Sequence, residues 1–164
     1  MKAEFPDRED SALESVFDLK RLMDKIYFKD YEKTYKLPEG LNFTHVKAVM
    51  ILRFQGHCTM SQLSSLILLE KGSFTPVAAR LMEQGVIRKE HSPEDKRVQN
   101  LVLTDIGKEL ADRISKTHIA YTQAVIARLD PDEQMEYLHL IGKLNKMNKK
   151  LLEAGADDLS PCFE

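Results

Sequence analysis

The sequence contains few of the residues that cross-link a protein or anchor it in a membrane. It has two cysteines, Cys58 and Cys162, and no tryptophan in 164 residues. So sparse a pair does not read as a disulfide framework, and both are expected to be reduced thiols. No apolar run approaches the roughly 20 residues that span a bilayer, and the polar, acidic segment 1–10 has no signal-peptide core. We therefore expect a cytoplasmic protein that forms one compact unit, with or without helical extensions.

Motifs of enzyme chemistry are absent as well. The sequence contains no glycine-rich phosphate loop and no nucleophile elbow. His45, His57 and Cys58 suggest a metal, but their spacing does not match a ligand set. A redox role for Cys58 would need a group that stabilises its thiolate, and His57 is the one neighbour of that kind. We predict no enzyme, no cofactor and no metal.

The distribution of charge is more informative than the net charge of −2. Residues 1–40 carry 8 basic and 10 acidic side chains, residues 41–103 carry 8 and 5, and residues 104–164 carry 8 and 11. A basic centre between acidic flanks fits a protein that offers only its centre to nucleic-acid phosphate. Charge alone does not separate this interpretation from a chance excess of three basic side chains in residues 41–103.

Helical periodicity and capping residues predict three helices in the first half of the chain. Apolar residues at steps of three and four favour one helix over residues 11–36. A second helix is predicted to start with Asn42 or Thr44 as its N-cap and to end at Gly56. Thr59 and the glutamine three residues later read as a capping box for a short third helix.

The next segments predict one more helix, and the helical period then gives way to strands. Thr75 as N-cap and Pro76 at the first helical position predict a fourth helix, which ends before Gly85. The segments 86–91 and 97–103 then predict two strands joined by turn residues, a β-hairpin. Two long helices follow. Thr104 is the predicted cap of the first and Asp130 that of the second, whose apolar face would be buried through Tyr137, Ile141, Leu144, Met147 and Leu151.

Two stretches of this pattern resemble the MarR-type transcriptional regulators. Asp95–Gly107, DKRVQNLVLTDIG, resembles the family's wing signature, in which an Asp and an Arg two residues later precede an LT…G entry into a long helix. Arg80–Ile87, RLMEQGVI, is similar to the end of the family's recognition helix. The resemblance covers about residues 11 to 152. It implies a mainly α fold with a small β-hairpin wing, a winged helix-turn-helix flanked by long N- and C-terminal dimerisation helices.

The domains expected from this resemblance are an N-terminal dimerisation helix at 11–40, a winged helix-turn-helix DNA-binding domain at 41–104 and C-terminal dimerisation helices at 105–154. Residues 1–10 and 155–164 are expected to be disordered tails. Gly72–Pro76 resembles the recognition-helix start of the family's peroxide-sensing branch. That branch senses through a cysteine in the first helix, and residues 11–36 contain none. Peroxide sensing is therefore not expected.

The recognition helix supplies the first group of candidate DNA contacts. Such a helix presents side chains that hydrogen-bond base edges in the major groove. The candidates for this role are Ser73, Thr75 and Arg80, although Ser73 and Thr75 could be helix caps only. Lys71 precedes the helix as a phosphate contact. Ser61 and Gln62 begin the preceding helix, which usually crosses the DNA backbone.

The wing supplies the second group. The Arg97 guanidinium can enter a narrow minor groove, where the negative potential is enhanced. Lys96 would add a phosphate contact, and by the resemblance Asp95 would pair with Arg97 and orient it. The alternative for Arg97 and Lys96 is a solvated position on a hairpin.

A ligand site is also implied by the resemblance. Family members commonly bind small phenolic or anionic ligands between the terminal helices and the winged unit. The residues expected to face such a cleft here are Tyr27, Tyr31, His45, Met50 and Arg53. Aromatic walls and one cation suit an aromatic carboxylate. Tyrosines at helical spacing are more often core or interface, so that interpretation stays open.

The terminal helices carry more apolar surface than one central winged unit can cover. We therefore predict an obligate homodimer, whose two recognition helices engage half-sites of a pseudo-palindromic operator in double-stranded DNA. The resemblance implies a sequence-specific regulator, a repressor released by a small aromatic or anionic effector. The alternative is a winged-helix protein-interaction module without specific DNA binding, which the low net charge and Pro76 keep open.

Overall fold

The computed structural model describes residues 7–28, 35–69 and 72–155. Its elements in chain order are α1 (Asp7–Tyr27), α2 (Phe43–Gln55), β1 (His57–Thr59), α3 (Met60–Ile67), α4 (Thr75–Glu83), β2 (Ile87–His91), β3 (Gln99–Leu103), α5 (Asp105–Ile126) and α6 (Pro131–Glu153). They divide into two compact units, one ending at Tyr121 and one starting at Thr122. Tyr31, Lys71 and Cys162 lie outside the described residues. No helix in the described ranges has the length and apolar character that crossing a membrane requires.

The first helix differs from the prediction at both ends. It begins at Asp7, so residues 7–10 of the expected N-terminal tail form its first turn. It ends at Tyr27, well before the predicted end at residue 36. Apolar side chains on it are exposed, with Val16 at 61% and Phe17 at 84% of their accessible surface.

The second helix begins with a reciprocal cap. The Asn42 side chain accepts from the backbone N–H of Thr44 and His45, and the His45 ring bonds back to the Asn42 N–H at 3.1 Å. Gly56 ends the helix in a left-handed conformation, with φ +78°. The next three residues form β1, which the sequence analysis did not predict. A strand of three residues is too short to display an alternating pattern, and β1 is defined by its pairing to β3.

The helix-turn-helix follows the predicted order. Thr59 and Gln62 form the predicted capping box at the start of α3. The start of α4 is wrong by one residue, because Phe74 is the N-cap and Thr75 is already helical. The Phe74 side chain is buried, 2% exposed, and therefore anchors this end of α4 to the core without a hydrogen-bonded cap. Gly85 follows the helix with φ +67°, as predicted.

The sheet has the order β1-β3-β2, with both neighbouring pairs antiparallel. The predicted hairpin is β2 and β3, in a register that pairs Ile87 with Leu103 and His91 with Gln99. Each strand is shorter than predicted, and residues 92–98 form the loop between them. This hairpin is the wing.

Thr104 and Gly107 join the wing to α5. The Thr104 hydroxyl accepts from the Gly107 N–H at 3.1 Å and donates to the Gly85 carbonyl. A Cβ on Gly107 would lie on the Val86 carbonyl oxygen, 3.1 Å from its carbon. Only glycine allows the helix to approach the backbone this closely. The threonine and glycine of the LT…G motif are therefore required by local geometry.

The core of the first unit lies among α2, α3, α4, the sheet and the beginning of α5. Its largest fully buried side chains are Phe74, Leu52, Leu63, Leu81, Ile87, Leu101, Val49 and Val86. These residues hold the two helices of the helix-turn-helix and the base of the wing in one packed body.

The second unit contains the end of α5 and the whole of α6. Asp130 caps α6 and forms a capping box with Glu133, and Pro131 is the first helical residue, as predicted. The predicted burial of its apolar face is wrong within the single chain, because no residue of α6 is buried. Met147 is 61% and Leu151 58% exposed.

Candidate functional site

The N-terminal end of α4 presents two of the predicted base-contact residues. Ser73 and Thr75 are both exposed. Thr75 also lines an open cleft of about 450 Å³ together with Ser61 of α3. Neither hydroxyl caps α4, since Phe74 is the cap residue and no side chain accepts there. Both side chains therefore remain available at the surface, which the capping alternative would have prevented.

Ser61 and Gln62 lie at the start of α3, and Ser61 shares the open cleft with Thr75 of α4. Both side chains are exposed. The Gln62 Oε1 accepts from the Thr59 N–H at 2.9 Å, which fixes the orientation of the amide at the first turn of the helix. Two polar side chains at a helix N-terminus suit contact with a phosphate, because the helix dipole favours an anion there.

Arg80 lies elsewhere than expected. Its Nη1 pairs with Glu83 at 2.6 Å, and its Nη2 donates to the Glu39 carbonyl at 3.1 Å. The guanidinium is thus directed at the loop before α2. The predicted role as a base contact does not match this position. The spacing of residues along α4 could not reveal this contact, because Glu39 lies 41 residues before Arg80 in the chain.

The tip of the wing is ordered by its own hydrogen bonds. The Val98 N–H donates to the Asp95 carbonyl and the Ser92 N–H to the Val98 carbonyl, both at 2.9 Å. The His91 Nδ1 donates to the Lys96 carbonyl at 2.8 Å. A seven-residue loop with these bonds loses less conformational entropy when it binds than a loose loop would.

The two basic residues at the tip of the wing, Lys96 and Arg97, are exposed. Among the described residues, no carboxylate forms an ion pair with Lys96 or Arg97. Asp95 does contact Arg97, but through the backbone, since its Oδ1 accepts from the Arg97 N–H at 2.9 Å. The expected pairing of the two side chains is therefore absent. Asp95 positions the main chain of Arg97 and leaves the guanidinium directed to solvent.

A largely apolar cavity of about 640 Å³ opens in the first unit. Its lining residues are Phe28, Tyr35, Phe43, Val46, Lys47, Met50, Phe54, Ile114, Ser115, His118 and Ile119. The volume and the apolar walls are those of a small-molecule site.

Two polar groups meet at this cavity. The Tyr35 hydroxyl is hydrogen bonded to His118 Nδ1, and the two rings are stacked with centroids 6.0 Å apart. Burial raises the pKa of Tyr35 to about 12, with a smaller contribution from Tyr121. Burial also lowers the pKa of His118 below its ordinary value of 6.5. Both groups are therefore uncharged at neutral pH. Among the lining residues that the structure describes, the cation is the Lys47 amine, 4.7 Å from the centre of the Phe43 ring.

Of the four predicted ligand contacts that the structure describes, Met50 alone lines this cavity. Tyr27 is buried without lining it. The His45 ring is used in the cap of α2, where burial, and then Arg80, lower its pKa. Arg53 pairs with Asp112 and lines a different pocket. Sequence reasoning missed Tyr35 with His118, because the pair is 83 residues apart and only the fold joins them.

Cys58 has no activating surroundings. It is buried in the core, 3% exposed, and burial raises the pKa of its thiol. A raised pKa keeps the sulfur protonated and unreactive. In residues 7–28, 35–69 and 72–155, no three His, Cys, Asp or Glu side chains are grouped as a metal site needs.

Comparison with known proteins agrees with this geometry. The MarR family model matches residues 41–98. An HTH-type transcriptional regulator of Bacillus subtilis, YkoM, is 32% identical over 113 residues, which are 69% of this chain and 73% of that protein. The organic hydroperoxide resistance transcriptional regulator of the same organism is 28% identical over 62% of this chain and 75% of its own length.

A solved structure provides a comparison of the fold. Bordetella bronchiseptica BpsR, whose DNA binding is regulated by 6-hydroxynicotinic acid, superposes with a TM-score of 0.59 at 22% identity. The match covers 80% of this chain and 98% of that one. The two chains thus share an architecture. The curated relatives are transcriptional regulators and not enzymes.

Proposed function

Because this chain belongs to the MarR family of transcriptional regulators, we propose that it represses transcription by binding a specific DNA operator as a homodimer and is released by a small ligand. The observation that carries the proposal is the wing, where an internally bonded loop holds Arg97 and Lys96 exposed and unpaired. Ser73 and Thr75 are exposed at the N-terminal end of α4 in the same unit. Wing and helix end would contact the minor and major grooves of one half-site.

The homodimer is supported by the exposed apolar side chains of both terminal regions. Phe17 on α1 is 84% exposed, and Met135 and Leu152 on α6 are 69% and 64% exposed. Side chains of this size rarely stay in water in such numbers, and a second copy would cover them. Sedimentation at low micromolar concentration should give twice the chain mass of 18.8 kDa. A single-chain mass under these conditions would contradict the homodimer.

The cavity beside Tyr35 and His118 is the proposed ligand site. Its apolar walls and its two uncharged polar groups favour a small aromatic molecule that carries one hydrogen-bonding group. An aromatic carboxylate would have Lys47 as its single cationic partner among the described lining residues. Compounds of both kinds, uncharged phenols and 6-hydroxynicotinic acid, are therefore compared in the same binding experiment.

Selection of bound sequences from random duplex DNA tests the proposal directly. We expect recovery of an inverted repeat with half-site centres about 10 base pairs apart. The selected duplex is then titrated with protein in the presence of each aromatic compound, and an active ligand raises the apparent Kd. Failure to enrich any sequence would contradict specific recognition, whatever the compounds do.

A winged-helix module that binds only protein remains the competing function, and the net charge of −2 is the observation that favours it. The two functions differ in the salt dependence of DNA binding. A protein that contacts phosphates loses affinity steeply as salt rises, because counterions are released when it binds. A weak, salt-insensitive interaction with duplex DNA would favour the protein-binding module.

A further inference from the structure

The loop that directly precedes α2 is bound to the recognition helix α4 at one atom. The carbonyl oxygen of Glu39 accepts from Arg80 Nη2 at 3.1 Å and from Gln84 Nε2 at 2.6 Å. Arg80 and Gln84 are the only side chains of α4 and its C-cap that are bonded to this loop among the described residues. One main-chain oxygen thus accepts from two donors at the same end of α4. These two hydrogen bonds restrict both the rotation and the translation of the helix.

The same loop is also the boundary of the cavity. We call residues 36–42 the connecting loop. Tyr35 precedes it and Phe43 follows it, and both line the cavity. The loop is closed by a hydrogen bond from the Leu41 N–H to the Pro38 carbonyl, 3.1 Å, and Leu41 is buried in the core. We expect a short segment held in this way to move as one piece, so that a displacement of either end would reach Glu39.

A side chain at Gly40 would require the Arg80 guanidinium to move. Its φ is +78°, and a Cβ there would lie 2.8 Å from Arg80 Nε and 2.9 Å from Arg80 Cζ. The guanidinium therefore packs directly on the loop backbone. Its other nitrogen pairs with Glu83, so the charge is already satisfied within the unit.

We propose that Arg80 and Gln84 are positioning residues, which hold α4 in its DNA-binding orientation through the Glu39 carbonyl, and that the connecting loop makes this orientation depend on occupancy of the cavity. The proposal rests on the proposed function, since it needs DNA binding by α4 and a ligand in the cavity. It removes Arg80 from the direct DNA contacts and gives it an indirect effect on affinity.

A pair of glycine substitutions isolates the contact. Gly40→Ala introduces a methyl group against the Arg80 guanidinium. Gly56→Ala is the matched control, because Gly56 has the same φ of +78° and a Cβ there meets nothing within 4 Å. Both variants place an alanine at a positive φ of +78°, and only the first displaces Arg80. Affinity for the selected duplex should fall about tenfold more in Gly40→Ala than in Gly56→Ala, the size expected when a charged hydrogen bond is lost. Equal losses would overturn the proposal.

The salt dependence of binding separates positioning from direct contact. Arg80→Ala and Gln84→Ala should each raise Kd while the slope of log Kd against log salt stays that of the wild type. A direct phosphate contact by Arg80 would instead lower the slope by about 0.9 for each lost contact, and that result would overturn the proposal. Glu83→Ala is the control for the Arg80 ion pair, and it should bind like the wild type. Absence of DNA binding by the wild type would refute the proposed function instead.

A double-mutant cycle tests the connection to the cavity. Ser115→Phe fills part of the cavity from α5, and Met50→Phe does so from α2 if the first variant does not fold. Either filled variant should bind DNA more weakly than the wild type and should have little further effect in the Gly40→Ala background. Non-additivity of this kind identifies coupled sites. Additive effects, or no effect of filling the cavity, would refute the connection.

Discussion

Removal of the Arg97 side chain is the most informative single perturbation of the wing. The side chain is exposed, and the hydrogen bond that orders its position is made by its backbone N–H to Asp95. Arg97→Ala therefore leaves the loop geometry in place. Because an exposed side chain with no ion pair among the described residues is removed, the free energy of unfolding should change by less than about 0.5 kcal/mol.

The effect on DNA binding should be much larger. A guanidinium that enters a narrow groove contributes about 1–3 kcal/mol, which is about a 5- to 150-fold change in Kd. A homodimer would lose one such contact at each half-site, so the total loss is expected at the upper end of this range or beyond it. The slope of log Kd against log salt should also fall by about 0.9 for each charge withdrawn from the phosphates.

Fluorescence anisotropy with the selected duplex at several salt concentrations measures both quantities. Arg113→Ala is the matched control, because Arg113 is an exposed arginine on α5 and its loss changes the net charge equally. We expect the control to bind nearly as well as the wild type. A folded Arg97→Ala variant with the affinity of the control would refute the role assigned to the wing.

Three further predictions concern other parts of the fold. Asp95→Asn should retain DNA affinity, because an amide oxygen can still accept from the Arg97 N–H, whereas Asp95→Ala should bind DNA more weakly. A loss of affinity in both variants, measured by fluorescence anisotropy, would instead favour an ion pair between the Asp95 and Arg97 side chains. Gly107→Ala should lower the free energy of unfolding by about 1–3 kcal/mol in urea titrations, since its Cβ meets the Val86 backbone. The control is Gly142→Ala on α6, where a Cβ meets nothing within 4 Å. This control should leave the free energy of unfolding unchanged or raise it. Stability should fall as pH drops below about 6.5, because His118 has a lowered pKa in the folded state and the unfolded chain binds the proton first. A melting temperature that rises as the pH is lowered from 7 to 5.5 would contradict this. A His118→Gln variant whose stability has the same pH dependence as the wild type would contradict it as well.

Much of the winged unit could be predicted because its signals are local. The caps at Thr59 and Asp130, the left-handed glycine at Gly85 and the hairpin are each encoded within a few residues. The LT…G motif is of the same kind, since the Thr104 hydroxyl and the Gly107 N–H are three residues apart. Local hydrogen bonds of this type depend on residues within a few positions of each other, so sequence reasoning finds them.

The candidate sites were less predictable because they are made by distant residues. Arg80 lies on a helix that periodicity places correctly, yet its partner is the main chain of Glu39, and no pattern in either segment indicates that contact. Tyr35 and His118 meet only because α5 crosses back toward the start of α2. His45 has the chemistry of a ligand contact, but its ring completes a helix cap.

Equilibrium binding of the purified chain to its selected duplex, measured against a scrambled duplex across a range of salt concentrations, tests the central claim most directly. We predict a preference for the selected sequence of about a thousandfold or more and a linear fall of log affinity with log salt. Equal affinity for the two duplexes, or affinity independent of salt, would contradict a sequence-specific regulator that reads DNA with α4 and the wing.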